Sequence, residues 1–241
     1  MSEHLIARRD LDWHPQPLTP DYRSTTLRSP RHRRLHYTPT DTEMNGPTFG
    51  QHLIGPLDAN LIVNYAQPGQ EAIGPRIMIH GRLVDEDGRS IPRKLIEVWQ
   101  ANAGGRYRHK KDGYCAALDP NFGGCGRCLT DDNGYYAFQT IQPGPYPWPN
   151  GGNDWRPAHI HFSVFGDGFA QRLITQMYFE GDPHIRLCPI VHTIGCAKAI
   201  DSLVARLDMD ATVPMDLRAY RFDIVLRGRG QTVFENKMEG L

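Results

Sequence analysis

The sequence has no excess of charge of either sign: its 241 residues carry 27 Lys and Arg against 27 Asp and Glu. That balance removes the long-range pull toward nucleic acid or anionic lipid that a basic chain would exert. No apolar run reaches the length of a membrane span, and the opening MSEHLIARRDLDWHP lacks the apolar core of a secretory signal, so a cytoplasmic location is expected. Cysteine is scarce and odd in number, at Cys115, Cys125, Cys128, Cys188 and Cys196, which argues against a disulfide framework. Cys125 and Cys128 form a C-x-x-C, but no second pair completes a zinc pattern, and the glycine-rich FGGCGRC reads as a loop. Helical periodicity is nearly missing. Only residues 197–209, with Ile200, Leu203, Val204 and Leu207 at helical spacing, predict a helix. There is no βαβ rhythm, internal repeat or low-complexity tract.

What the chain does have is punctuation: 24 glycines and 19 prolines between short branched or aromatic runs. Residues 1–60 are proline-rich and non-periodic, which predicts an extended arm lying across the domain or a partner chain. Its basic run, residues 28–34, stands in a neutral chain with few neighbouring aromatics and is not read as a nucleic-acid patch. From residue 61 the texture turns to strands, predicted at 61–65, 76–84, 94–100, 135–141, 172–179 and 220–228. The expected architecture is all-β, a single-domain β-sandwich over 61–241 with long loops and one short helix.

The stretch 146–162, YPWPNGGNDWRPAHIHF, organises the rest. On a strand His159 and His161 share one face, roughly 6 to 7 Å apart along the chain, while Ile160, Phe162 and Val164 take the other. Two imidazoles so placed can serve one transition metal. The glycine-rich loops upstream offer Tyr107 and Tyr146 as further donors. A phenol is neutral at pH 7 and becomes a ligand only beside a strong Lewis acid, so two phenols with two imidazoles suit ferric iron better than zinc. The residues alone leave open a zinc hydrolase built on the same histidines, or a non-catalytic β-sandwich binding module in which they are structural.

The run IHGRLVDEDGRSIPRKLIEVWQANAGGRY at 79–107, followed by PGPYPW and WRPAHIHF, resembles the intradiol ring-cleaving dioxygenases. The likeness extends from TPDY at 19–22 through LITQMYFEGDP and CPIV to YRFDIVLRG and FEN. It implies a non-haem Fe(III) held by Tyr107, Tyr146, His159 and His161, with Tyr146 leaving the metal when substrate chelates it. It further implies that Arg156 stabilises charge on the activated ring and that Tyr22, Trp148, Gln176 and Ile190 line the substrate pocket, Tyr22 at the substrate carboxylate. The activity implied is cleavage of protocatechuate (3,4-dihydroxybenzoate) by O2 to 3-carboxy-cis,cis-muconate, a step of aromatic-compound catabolism. A relative acting on catechol or hydroxyquinol is the near alternative. The partner implied is a homologous alpha subunit that lacks iron and completes the pocket of a hetero-oligomer.

Overall fold

Strand β7, His159–Phe165, is buried at every position, and the rest of the molecule is arranged to cover its two faces. The computed structural model describes residues 12–32, 53–166, 172–226 and 230–234. One layer runs through β2 (Leu95–Gln100), β3 (Cys125–Leu129), β7 and β8 (Arg172–Phe179), all antiparallel neighbours in the order β3-β2-β7-β8. The other contains β1 (Arg76–Val84), β4 (Tyr135–Ile141) and β10 (Leu217–Arg221), with β1 between the other two. The long β9, Val204–Val213, joins the layers: its start pairs in parallel with β8 and its remainder runs antiparallel to β10. Two-residue strands complete the set, β5 (Tyr146–Pro147) against β6 (Trp155–Arg156), and β11 (Ile224–Val225) against β1.

Alternation along β4 and β7 builds the core between the layers. Tyr136 and Phe138 meet Phe162 at ring-centroid distances of 5.9 and 6.4 Å, both edge-on, and Phe222 closes on Phe162 at 5.3 Å. Each such aromatic pair contributes about 0.5–1.5 kcal/mol beyond the burial of its area. The same alternation turns His159 and His161 away from this core, toward the outer face of their layer. There the long loops cover them.

Several sequence expectations need correction. Residues 61–65 form a turn, not a strand: Asn60 Oδ1 accepts from the Ile62 amide at 3.1 Å and starts the turn, while Leu61 and Ile62 still bury their side chains. Residues 197–209 are not one helix. A single turn, α2 (Ala197–Asp201), gives way to β9, because the carbonyls of Leu203 and Ala205 accept from Tyr178 and Glu180 of the β8 edge. A ladder waiting on both sides outweighs a weak helical spacing. Cys125 and Cys128 lie on β3 rather than in a loop. A Cβ on Gly126 would stand 2.4 Å from Leu61 Cδ1, so that glycine marks a close approach, not a turn.

The segment 220–228 is broken as well. It supplies the end of β10 and the short β11, and residues 227 and 228 lie outside the described residues. The arm contains a helical turn, α1 (Ser24–Arg28), in a proline-free window, so it is not extended throughout and the helices number more than one. Buried Thr25 holds that turn, its hydroxyl bonding to the carbonyls of Tyr22 and Thr19 at 2.7 Å. The described part of the arm bonds to segments distant in the chain: Trp13 Nε1 donates to Gln231 O at 2.6 Å and the Gln16 amide to Thr193 O at 2.8 Å. Residues 33 and 34 of the basic run, and Glu235 and Asn236 of FEN, lie outside the described residues. Among the described residues no helix is long and apolar enough to cross a membrane.

Candidate metal centre

Three neighbouring strands share the face that carries the histidines. The register sets Trp99 of β2 and Gln176 of β8 on either side of His161, and Tyr178 beside His159. Trp99 stacks on His161, with centroids 4.7 Å apart and planes 4° from parallel, which fixes the imidazole plane. His159 is oriented by hydrogen bonding instead, its Nδ1 lying 2.7 Å from Pro157 O. A carbonyl can only accept, so Nδ1 carries the proton and Nε2 presents its lone pair. That arrangement is the usual preparation of a metal-binding histidine.

The phenols reach this lone pair because glycine lets their loops touch. A Cβ on Gly144 would lie 2.5 Å from Ala103 O and 2.7 Å from Gly105 N, and one on Gly105 (φ +82°) would meet Pro145 O at 2.3 Å. Only residues without a side chain permit that contact. Buried Asn102 ties the turn together, its Oδ1 accepting from the amides of Gly104 and Arg106 at 3.0 Å and its Nδ2 donating to Ala117 O at 2.9 Å. The Tyr107 amide donates to Asp112 Oδ2 at 2.8 Å. As a result Tyr107 Oη stands 3.4 Å and Tyr146 Oη 3.5 Å from His159 Nε2, with the two tyrosine rings 5.5 Å apart and edge-on. His161 completes the group, 4.9 Å from His159 and 6.3 Å from Tyr107 between ring centroids.

The two oxygen-to-nitrogen distances at His159 are of the size a shared ion would set. Donors about 2.0–2.1 Å from one first-row metal, separated by 90–120°, stand roughly 2.9–3.6 Å apart. Among the described residues no group of three or more His, Cys, Asp or Glu could hold a metal, so an ion at this point would depend on the phenolic oxygens. Hard anionic oxygen beside imidazole favours a strongly Lewis-acidic ion.

Arg156 pairs directly with Tyr146 across β5 and β6 and is only 1% exposed. Its guanidinium donates to Gln176 Oε1 and, at 3.4 Å, to Tyr178 Oη, which itself donates to Gln176 Oε1 at 3.0 Å. A permanent cation buried this deeply favours negative charge forming nearby. The four residues expected to line a pocket fall into two pairs. Tyr22 meets Trp148 edge-on at 5.4 Å, while Ile190 and Gln176 line one small cavity with Tyr178 and Pro15. Tyr178 and Trp99 escaped the sequence reading. Period two from Gln176 would have found Tyr178, whereas the stacking of Trp99 depends on strand order.

The C-x-x-C has no comparable surroundings. Three residues apart on a strand, the thiols point to opposite faces; Cys125 is exposed and Cys128 buried. Burial pushes the Cys128 thiol up to about 12 and also raises Cys125, aided there by Glu97. Neither is disposed to form the thiolate that redox or zinc chemistry requires.

Comparison with known proteins agrees with this architecture. Residues 44–228 match the family described as "Dioxygenase", and residues 7–39 match "Protocatechuate 3,4-dioxygenase beta subunit N terminal". The chain is 47% identical to the protocatechuate 3,4-dioxygenase beta chain of Burkholderia cepacia, covering 97% of this chain and 99% of that one. It is 32% identical to the protocatechuate 3,4-dioxygenase alpha chain of Pseudomonas putida, over 68% of this chain and 77% of that one. Among solved structures, the hydroxyquinol 1,2-dioxygenase of Pseudomonas putida DLL-E4 aligns with a TM-score of 0.52 at 25% identity, covering 84% of this chain and 69% of that one.

Proposed function

Because the chain belongs to the intradiol dioxygenases, a family of non-haem iron enzymes, we propose that it is the iron-carrying beta subunit of a protocatechuate 3,4-dioxygenase. The enzyme cleaves the ring of 3,4-dihydroxybenzoate between its two hydroxyl-bearing carbons, and both atoms of O2 enter 3-carboxy-cis,cis-muconate. The observation that carries the reading is the approach of both phenolic oxygens, Tyr107 Oη and Tyr146 Oη, to His159 Nε2. Together with His159 and His161, the two phenols would hold Fe(III). Bound there, ferric iron supplies Lewis acidity that favours the catecholate and draws electron density from the ring.

The protein's own groups do the rest. Pro157 O holds the proton of His159 on Nδ1, so Nε2 stays available as a ligand. Tyr146 Oη would take a proton from a substrate hydroxyl, and its strand partner Arg156 would offer a buried positive charge to the anionic ring. Gln176 and Tyr178 hold that guanidinium in place. Tyr22 reaches the substrate carboxylate, and Trp148 and Ile190 form walls of the pocket. Residues 61–241 make up the catalytic unit, and 1–60 an arm on its surface. A homologous alpha subunit completes the assembly, in keeping with the alpha and beta chains of the relatives.

The test is spectroscopic and kinetic together. The iron-loaded complex with its alpha partner should be wine-red from phenolate-to-iron charge transfer and should turn over 3,4-dihydroxybenzoate in preference to catechol. A colourless, inactive protein after iron loading would defeat the ligand assignment, and preference for catechol would defeat the substrate assignment.

A further inference from the structure

The loop between β5 and β6 carries a buried amide that none of the chemistry above uses. Asn150 is 7% exposed, and its side chain makes three hydrogen bonds. Nδ2 donates to Asp21 O and to Asp154 Oδ2, each at 2.7 Å, and Oδ1 accepts from the Arg23 amide at 2.9 Å. The orientation of the amide is fixed by its partners, since two acceptors face the nitrogen and one donor faces the oxygen. Two of these bonds grip the residues on either side of Tyr22. The third belongs to the loop itself, where the Trp148 amide donates to Asp154 O at 3.0 Å and the Asn150 amide to Trp148 O at 2.9 Å.

We propose that Asn150 is a positioning residue for substrate selectivity: it clamps the backbone around Tyr22 to the loop that carries Trp148. The two aromatic rings are thereby held edge-on, and the same loop closes through the Tyr146–Arg156 strand pair. Selection for the substrate carboxylate is thus tied to the loop that presents a metal ligand and the buried cation. The clamp lies at the base of an open cleft lined by Asp21, Arg23, Asp154 and His192. Water can replace a lost bond there, so breaking the clamp loosens Tyr22 without unfolding the core.

This inference rests on the reading that Tyr22 meets the substrate carboxylate, and the experiment separates the two. In the iron-loaded complex, kcat and KM are measured for 3,4-dihydroxybenzoate and for catechol in Tyr22→Phe, Asn150→Ala and the double variant Asn150→Asp with Asp154→Asn. The double variant keeps a hydrogen bond between 150 and 154 and an acceptor for the Arg23 amide, but it turns a carboxylate toward Asp21 O. Asn150→Ala and the double variant should each lower kcat/KM for 3,4-dihydroxybenzoate about tenfold, the weight of one hydrogen bond, mainly through KM. Catechol turnover and the visible absorption should stay within about twofold of the parent. If the double variant recovers the parent's selectivity, or if Asn150→Ala slows both substrates alike, Asn150 merely supports its own loop and the proposal fails. Should Tyr22→Phe alter selectivity while both position-150 variants do not, this proposal falls and the role of Tyr22 stands. A Tyr22→Phe variant with unchanged selectivity overturns both.

Discussion

Strands β7 and β3 each carry two side chains able to bind metal, and both belong to the same sheet, separated only by β2. On β7 the spacing is two residues, so His159 and His161 share a face and their rings stand 4.9 Å apart. On β3 the spacing is three, so Cys125 faces solvent while Cys128 enters the core. The C-x-x-C that would converge on a tight turn is split by a strand, and the H-x-H that a helix would splay is brought onto one face. Surroundings widen the gap, since loops bring two phenols to His159 whereas burial holds the Cys128 thiol protonated.

The harshest way to break this contrast is to remove an imidazole. His159→Ala or His161→Ala should abolish iron retention and lower turnover by more than about a hundredfold, beyond the 10–100-fold typical of losing an outer partner of a metal site. Metal analysis with steady-state kinetics checks it, and full iron occupancy in either variant would remove that histidine from the ligand set. Gly144→Ala tests the loops rather than the strand. Its new methyl would collide with Ala103 O and Gly105 N, so iron affinity should fall although no ligand has changed, at a cost of about 1–3 kcal/mol in denaturant unfolding.

The cysteine side of the contrast predicts small effects. Cys125→Ser combined with Cys128→Ala should leave iron content and turnover within about twofold, with a loss of roughly 1 kcal/mol from the core. A drop in bound metal would mean the strand argument is mistaken. The finest test uses pH. Cys128 ionises near 9.0 when unfolded but only at about 12 when folded, so above pH 9 the unfolded chain binds fewer protons and stability drains away as pH rises. The contribution is intact below pH 9 and declines toward pH 12 by up to about 1.4 kcal/mol per unit. Cys128→Ala should therefore show a shallower alkaline decline in denaturant midpoint than the parent.

How much of this was legible beforehand varied with the range of the interaction responsible. Runs of branched and aromatic residues between turn signals marked β1, β2, β4 and β8, and the apolar alternation beside the histidines marked β7, a reading that draws on neighbouring residues alone. It failed at 61–65, where a side-chain hydrogen bond from Asn60 turns the chain, and at 204–213, where partners on both sides impose a ladder on a stretch with helical spacing. The histidine pair stood out because its geometry is contained in three residues. Tyr107 and Tyr146 could be named by chemistry and resemblance, but with ten tyrosines in the chain nothing local singled them out.

By itself, then, the order of residues marked β1, β2, β4, β7 and β8 as strands, set His159 and His161 on one face of theirs, and would set Cys125 and Cys128 on opposite faces of any strand that held them. Only the tertiary structure decided that two glycine loops touch closely enough to deliver both phenols to one imidazole, that Trp99 lies flat on His161, and that Asn150 grips the chain around Tyr22. The reason is physical: a strand's periodicity is set by bonds between neighbouring residues, whereas convergence depends on contacts between segments far apart in the chain, such as the bond from the Asn150 side chain to the Asp21 carbonyl.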